Sequence, residues 1–248
     1  MLEEILSLLQ EKQSQEGESG TEALLELNWE SLESSSQKMA GLLSLFALAP
    51  IPWSLFSEAA SASSLEFDLA FNRNVLAQKY LLQQLDENTY QFHERIREFL
   101  SVKREQLADV EKLKHGFCST MIALAKNISQ TPTKSEILEI IPAIPHLAEA
   151  ATTQKDCLNN EDLIWPFLGL ARFYNGQGAY EQALPWYEQC LSTVRERLGD
   201  EHPDVATSLN NLAGLYRSQG RYSEAEPLYQ QALEMRKRLL GDEHPDVE

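Results

Sequence analysis

The chain has 248 residues, of which 43% are hydrophobic and 24% are charged, and its net charge of −17 makes its surface repel nucleic-acid phosphates. No apolar run is long enough to span a membrane, and the acidic N-terminus does not have the pattern of a signal peptide, so we expect a cytoplasmic protein without membrane contact. The three cysteines are widely spaced, which predicts free thiols and no metal site.

The first elements in chain order are helical. Met1–Glu11 is rich in Leu and Glu and predicts a helix, and the polar segment Lys12–Gly20 predicts a loop. Met39–Leu48 is largely apolar and predicts a further helix. Ala49–Trp53, with its two prolines, is expected to end that helix and begin another.

The next elements predict a small mixed domain. Val75–Leu85 has helical spacing, 86–88 (Asp-Glu-Asn) is typical of a turn, and Thr89–Phe92 has the pattern of an extended strand. A helix then resumes over His93–Leu100. Helices followed by a β-hairpin indicate a winged-helix-like N-terminal domain, which we place at residues 21–105.

Two segments of this domain resemble the winged-helix end of NB-ARC (STAND-class) signalling ATPases: LLSLFALAPIPWSLF and, further on, YQFHERIREFL. The resemblance implies that His93 contacts the β-phosphate of bound ADP in an intact parent protein. Phe92 and Glu94 depart from the methionine and aspartate of that family. No phosphate-binding loop is visible, so we expect no ADP or ATP cofactor, and no hydrolysis, in this chain alone.

A linker is predicted between this domain and the repeats. Gln106–Ile128 and Ser135–Ala151 have helical spacing, and together they account for most of residues 106–160. His146 is expected to have a packing or capping role, and His115 stands alone next to Gly116.

The strongest pattern is an internal repeat. The octapeptide Leu-Gly-Asp-Glu-His-Pro-Asp-Val begins at Leu198 and again at Leu240, and residues 164–205 share 19 identities with residues 206–247 over 42 positions without a gap. Residues that keep the repeat's helices, turn and close packing are expected to be structural: Leu170, Ala171, Tyr174, Gly178, Tyr180, Ala183, Tyr187, Leu212, Ala213, Tyr216, Gly220, Tyr222, Ala225 and Tyr229.

The spacing within each unit predicts a pair of helices. Leu209, Leu212, Ala213 and Tyr216 form one helical stripe, and Gly220 supplies a left-handed turn before the second helix. His202 and His244 recur with the period in the connection between units, which favours a structural role. Pro203 and Pro245 fit a first helical turn, whereas Pro185 and Pro227 fall inside the second helices and predict a mild kink at most.

This pattern resembles the tetratricopeptide repeat in its longer, 42-residue form known from kinesin light chains. The resemblance implies an α-solenoid with one unit at 161–205, a second at 206–248, and a mostly all-α fold class overall. In that family the first helix of each pair lines a groove that binds a protein or peptide. The implied groove residues are Asn210, Asn211 and Arg217 in the second unit and Leu168 and Arg172 in the first.

No combination of catalytic residue types stands out, so an enzyme is disfavoured. The favoured hypothesis is a regulatory interaction module coupled to a nucleotide switch, which would form oligomers on activation in the intact parent. The alternatives are a free-standing adaptor like a kinesin light chain and a winged-helix DNA-binding regulator, which the charge opposes. Because a third unit opens at Pro245, we expect the chain to be a fragment.

Overall fold

The computed structural model describes residues 18–241, so the predicted helix Met1–Glu11 and residues beyond Gly241 lie outside the described part. Within it the chain is mostly helical. The helices and strands, in chain order, are α1 (Glu18–Glu30), α2 (Ser34–Leu43), β1 (Ile51–Pro52), α3 (Trp53–Ala62), α4 (Leu69–Gln78), β2 (Gln83–Gln84), β3 (Thr89–Gln91), α5 (Glu94–Arg104), α6 (Val110–Asn127), α7 (Lys134–Ile140), α8 (Ile144–Ala151), α9 (Trp165–Gly176), α10 (Tyr180–Leu198), α11 (Pro203–Ser218) and α12 (Tyr222–Leu240). None of the helices in this described range is long and apolar enough to cross a membrane.

The chain divides into two compact units, one up to Phe117 and one from Cys118 onward. The first unit contains a small antiparallel sheet in the order β1-β3-β2, with Ile51 opposite Tyr90 and Gln83 opposite Gln91. The predicted hairpin is therefore present as β2 and β3. The strand β1 was not predicted, because two residues that include a proline show no alternating pattern.

Several predicted element bounds in the first unit were wrong. The loop predicted to extend to Gly20 ends earlier, because α1 begins at Glu18, and the helix predicted over Met39–Leu48 is instead α2, which ends at Leu43. The helix predicted over Val75–Leu85 ends at Gln78, and Tyr80 follows in a left-handed conformation with φ of 57°. Helical spacing continues past this turn only because Leu81 and Leu82 are buried beside it.

Aromatic side chains pack against one another in the core of the first unit. The ring of Phe46 lies 5.0 Å from that of Phe117 and 5.9 Å from that of Phe56, measured between centroids. Gly116 allows α6 to approach α3 closely, since a Cβ at this position would lie 2.4 Å from the carbonyl oxygen of Ala59.

The second unit contains two helical pairs, α9 with α10 and α11 with α12, and α10 also packs against α11. This confirms the predicted solenoid of helix pairs. The helix predicted over Ser135–Ala151 is interrupted: Ile141–Ala143 form a 3-10 turn that contains Pro142, since proline lacks the N–H that a continuous helix needs. Beyond it, α8 packs against α9.

The turns inside the two helical pairs have nearly the same backbone dihedral angles. Gly178 and Gly220 have φ of 72° and 75°, a left-handed conformation that favours glycine. The next residues, Ala179 and Arg221, also agree, with φ and ψ of −82° and 61° in one and −84° and 59° in the other. Pro185 and Pro227 lie inside continuous helices, α10 and α12, of 19 residues each.

The small residues of the repeat lie in the interior. Ala171 and Ala183 are fully buried in the first pair, as is Ala213 in the second. A small side chain at these points lets the helix axes approach, and the larger Leu170 and Leu212 fill the space beside them, with exposures of 0% and 5%.

Candidate partner-binding surface

The open face of the second pair lies on α11. Asn210 and Asn211 are partly exposed, and Arg217 in the last helical turn is exposed. Gly214 lies between them in sequence, and a Cβ there would meet only the hydroxyl oxygen of Tyr229, at 3.6 Å. Because residues three, four and seven apart share a helix face, Asn210, Gly214 and Arg217 form one strip with amide and guanidinium groups at its ends, and Asn211, three positions before Gly214, belongs to its edge.

The matching face of the first pair is covered. Leu168, which corresponds to Asn210, is 2% exposed, so the structure places it in the interior. Gly169 corresponds to Asn211, and a Cβ there would lie 2.8 Å from the Cβ of Ala125 and 3.3 Å from a methyl group of Leu147. The helices α6 and α8 therefore pack against α9 where α11 leaves its face open.

Arg172, the other predicted groove residue, is held at the edge of this covered region. Its Nη1 donates to the carbonyl oxygen of Ile128 at 3.3 Å, just beyond the C-terminus of α6, and its guanidinium lies 5.6 Å from the centre of the Trp165 ring. Burial lowers the pKa of Arg172, with the nearby Tyr187 acting in the opposite direction. A cation at a helix C-terminus is a stabilising contact, which gives Arg172 a structural role.

Sequence reasoning missed the partners of Arg172. Trp165 has a second cation on its ring, since the Nζ of Lys126 lies 5.6 Å from the ring centre. Lys126 also forms an ion pair of 2.6 Å with Asp162 and thereby lowers the pKa of that carboxyl group, against the opposing effect of desolvation. Lys126 and Trp165 are 39 positions apart and belong to different predicted segments, so no local pattern links them.

A groove of 380 Å³ is lined by residues of α11 and α12. It begins at Arg217 and runs along α12, which places this predicted binding residue between two surfaces. The residues that line the groove are Arg217, Tyr222, Ala225, Glu226, Tyr229, Gln230 and Leu233.

His93, the predicted nucleotide-contacting residue, begins α5. Its Nδ1 accepts a hydrogen bond from the backbone N–H of Arg95 at 3.3 Å, so the imidazole caps the helix N-terminus. His202 caps α11 in the same way, accepting from the N–H of Asp204 at 3.2 Å. Helix capping is the role that the structure gives to both histidines.

His93 also lies beside a groove of 290 Å³ in the first unit. The residues that line this groove are Leu48, Tyr80, Leu81, Gln83, Gln91, Phe92, His93, Glu94 and Ile96. Neither lysine nor arginine occurs in this lining, and Glu94 adds a negative charge. A diphosphate needs cationic or multiple N–H donors, so these residues alone do not fit the phosphates of ADP.

The geometry of paired helices agrees with a comparison against known families. Residues 162–246 match the family model of the tetratricopeptide repeat, and this match includes both helical pairs. The C-terminal segment therefore carries tetratricopeptide repeats, a class of helical repeat that is generally non-catalytic and takes part in protein–protein interactions. No curated protein sequence matches the chain at a significant level.

Proposed function

We propose that the chain is a non-catalytic interaction module that binds a peptide or protein on the open strip of α11. The observation that carries this proposal is the contrast between equivalent positions: Leu168 and Gly169 are covered by neighbouring helices, whereas Asn210 and Asn211 remain accessible. An exposed strip that carries amides is available to a ligand.

The chemistry of the strip favours an extended peptide. An asparagine amide both donates and accepts, so Asn210 and Asn211 match the backbone N–H and C=O groups of such a ligand. Gly214 leaves room for the ligand backbone to approach the helix, and Arg217 offers donors to a carboxylate. The partner is therefore proposed to be a peptide segment with an acidic group near one end.

Selection of peptides from a displayed library against the whole chain tests this proposal. Selected peptides are expected to bind Asn211→Ala about 5-fold more weakly, the loss of roughly one hydrogen bond. The matched control is Gln189→Ala, an exposed residue of α10. Equal affinity for the wild type, N211A and Q189A would exclude the strip as the binding surface.

A second proposal couples these repeats to a nucleotide switch in an intact parent. It is supported by the helices and three-stranded sheet of the first unit and by the position of His93 at an open groove. Since the groove lacks cationic side chains, the phosphate-binding groups must come from another domain. His93 would then contribute its second ring nitrogen, because Nδ1 is already used by the Arg95 N–H.

Titration with ADP separates this second proposal from a free-standing adaptor. This chain alone is expected to show no ADP binding. The full gene product, if it carries the switch, is expected to lose ADP affinity in His93→Ala and to keep it in the control His202→Ala, which removes an equivalent helix cap. Peptide binding that ADP leaves unchanged in the full gene product would favour the adaptor.

A further inference from the structure

Two of the three cysteines contact the same residue of the second unit. Cys118 lies on α6 and Cys157 ends the short 3-10 turn Lys155–Cys157. The Sγ of Cys118 lies 4.0 Å from the backbone carbonyl oxygen of Gln154, and the Sγ of Cys157 lies 3.9 Å from the side-chain oxygen of the same residue. Both sulfur atoms therefore lie beside one buried glutamine, although the two cysteines are far apart in sequence.

The backbone of Cys157 limits the distance between the two thiols. Its N–H donates to the carbonyl oxygen of Gln154 at 3.0 Å, the oxygen that the Cys118 thiol also contacts. The Cys118 sulfur is therefore at most about 7 Å from the Cys157 nitrogen, close to the Cα separation of about 4.4–6.8 Å across a disulfide. Thiols are weak hydrogen-bond donors, so releasing Gln154 and rotating the side chains toward each other costs little.

The two thiols differ in their access to solvent. The structure holds both in the reduced form. Cys157 is partly exposed, whereas Cys118 is only 2% exposed. A small dissolved oxidant therefore reaches Cys157 first, and Cys118 is the thiol placed to react with the oxidised sulfur. The third cysteine, Cys190, is fully buried beside Ser208, where α10 packs against α11.

The turn that carries Cys157 is held on both sides by one side chain of α10. Arg197 donates from Nη1 to the carbonyl oxygen of Lys155 at 3.2 Å and from Nη2 to the carbonyl oxygen of Leu158. Leu158 is itself buried. Because the backbone is held before and after Cys157, its thiol stays beside Gln154.

We propose that Cys118 and Cys157 are a peroxide-sensitive thiol pair that closes to a disulfide. The Cys157 thiolate attacks one oxygen of hydrogen peroxide and hydroxide leaves, so the sulfur is oxidised to a sulfenic acid. The Cys118 thiolate then attacks this sulfur, the S–S bond forms and the sulfenic oxygen leaves as hydroxide. The protons of the two thiols neutralise the two hydroxides, so one peroxide is reduced to water as two thiols become one disulfide.

This disulfide connects helices that cover the first helical pair. Ala125 of α6 and Leu147 of α8 both lie close to the point that a Cβ at Gly169 of α9 would occupy. A bond between Cys118 and Cys157 closes a loop that contains α7 and α8, which restricts opening of α8 away from α6. Oxidation is therefore expected to stabilise the packing of these helices over α9.

Peptide mapping of the whole chain tests the proposal, because trypsin places the three cysteines on separate peptides, 115–126, 156–172 and 173–195. The chain is treated with hydrogen peroxide, blocked with N-ethylmaleimide and digested without reduction. The expected product is peptide 115–126 linked to peptide 156–172, which dithiothreitol separates. Amide hydrogen exchange in α8 is expected to slow about 10-fold in the oxidised chain.

Three variants assign the roles of the thiols. Cys190→Ser is the matched control and is expected to keep the linked product. Cys157→Ser is expected to lose it and to leave Cys118 as a thiol that N-ethylmaleimide blocks on unfolding. Cys118→Ser is expected to leave Cys157 as a sulfenic acid, which dimedone labels. Circular dichroism checks that each variant is folded, and the peptide map of the wild type tests the pairing without any substitution.

Three results would overturn the inference. The first is an oxidised wild-type chain in which Cys157 carries a sulfenic or sulfinic acid while Cys118 is still a thiol. The second is a disulfide that joins two chains or includes Cys190, because the proposed pair would then not be the one that forms. The third is a linked product whose α8 exchange equals that of the reduced chain, which would remove the stabilising effect on the helices that cover α9.

Discussion

The two helical pairs share a sequence pattern and a backbone but differ in what surrounds them. Their turn residues agree within a few degrees in φ and ψ, and their second helices both have 19 residues. The first pair is covered by α8 on one side and by α11 on the other, whereas the second has a described neighbour only on the side of α10. The repeat pattern thus determines the shape of each pair, and the neighbours determine how much of it is exposed.

This difference separates covered from accessible positions. Leu168 and Gly169 carry small or apolar side chains because helices cover them, whereas Asn210 and Asn211 are polar and accessible. The same repeat position is therefore apolar where helices cover it and polar where it is accessible, and the proposed partner-binding surface rests on this contrast.

The largest expected difference between the pairs concerns the tyrosines of their second helices. Tyr187 is 6% exposed and Tyr229 is only partly buried. Tyr187→Ala is expected to lower the free energy of unfolding by about 3–5 kcal/mol, as for other buried aromatic residues. Tyr229→Ala is expected to cost only about 1–2 kcal/mol because less apolar surface is lost. Urea denaturation measures both, and equal losses would contradict the comparison.

An exchange of equivalent residues probes the covered and open faces directly. Gly169→Asn places an amide against the backbone of α6, where even a Cβ would lie 2.9 Å from the Cα of Ala125, so a loss of about 3 kcal/mol is expected. The reciprocal Asn211→Gly is expected to cost about 0.5 kcal/mol through helix propensity alone. Thermal unfolding followed by circular dichroism compares them, and a similar decrease in Tm for both would place the two positions in equivalent surroundings.

Because the two turns share their geometry, equivalent glycine substitutions in them are expected to lower the free energy of unfolding equally. Gly178 and Gly220 both have positive φ, and no atom lies within 4 Å of the point that an alanine methyl group would occupy, so replacement by alanine adds backbone strain alone. Gly178→Ala and Gly220→Ala are each expected to cost about 1 kcal/mol. Denaturation midpoints that differ clearly between the two variants would show that the turns are not energetically equivalent.

A further comparison concerns the reactivity of a thiol and involves no loss of stability. Burial raises the pKa of the Cys190 thiol to about 12, with the Ser208 hydroxyl acting in the opposite direction, so little reactive thiolate forms at pH 8. In backgrounds that keep only the cysteine under test, Cys190 is expected to react with a disulfide reagent roughly 10-fold more slowly than a cysteine placed at Leu233, which is 40% exposed on α12. Full reaction in denaturant is the control. Equal rates in the native state would contradict the difference in burial between the two positions.

The periodic part of the fold was predictable because its signals are local. Glycine at the turn, alanine at the close approach and proline at the first helical turn each act within one unit, and Gly220, Ala213 and Pro203 occur where expected. In the first unit, β1 could not be predicted, since Ile51 becomes a strand residue only by pairing with Tyr90, 39 positions away.

The candidate site was predictable only in part, for a related reason. The family resemblance assigns both Leu168 and Asn210 to the binding groove, because a repeat pattern contains no information about the helices that pack outside the repeat. Its neighbour Gly169 lies against Ala125 of α6 and Leu147 of α8, helices without any repeat pattern. The capping role of His93 depends on one local hydrogen bond, which its Nδ1 accepts from the backbone N–H of Arg95.

The matched dihedral angles at Gly199 and Gly241 have a consequence for how this gene can change. Recombination between misaligned copies of the repeated DNA would remove or insert one whole period. Each new junction would then join a segment to a counterpart that already has the same backbone geometry. Length variation in steps of 42 residues should therefore be tolerated by folding, whereas insertions of other lengths inside α10 or α12 would shift every apolar residue after them around the helix.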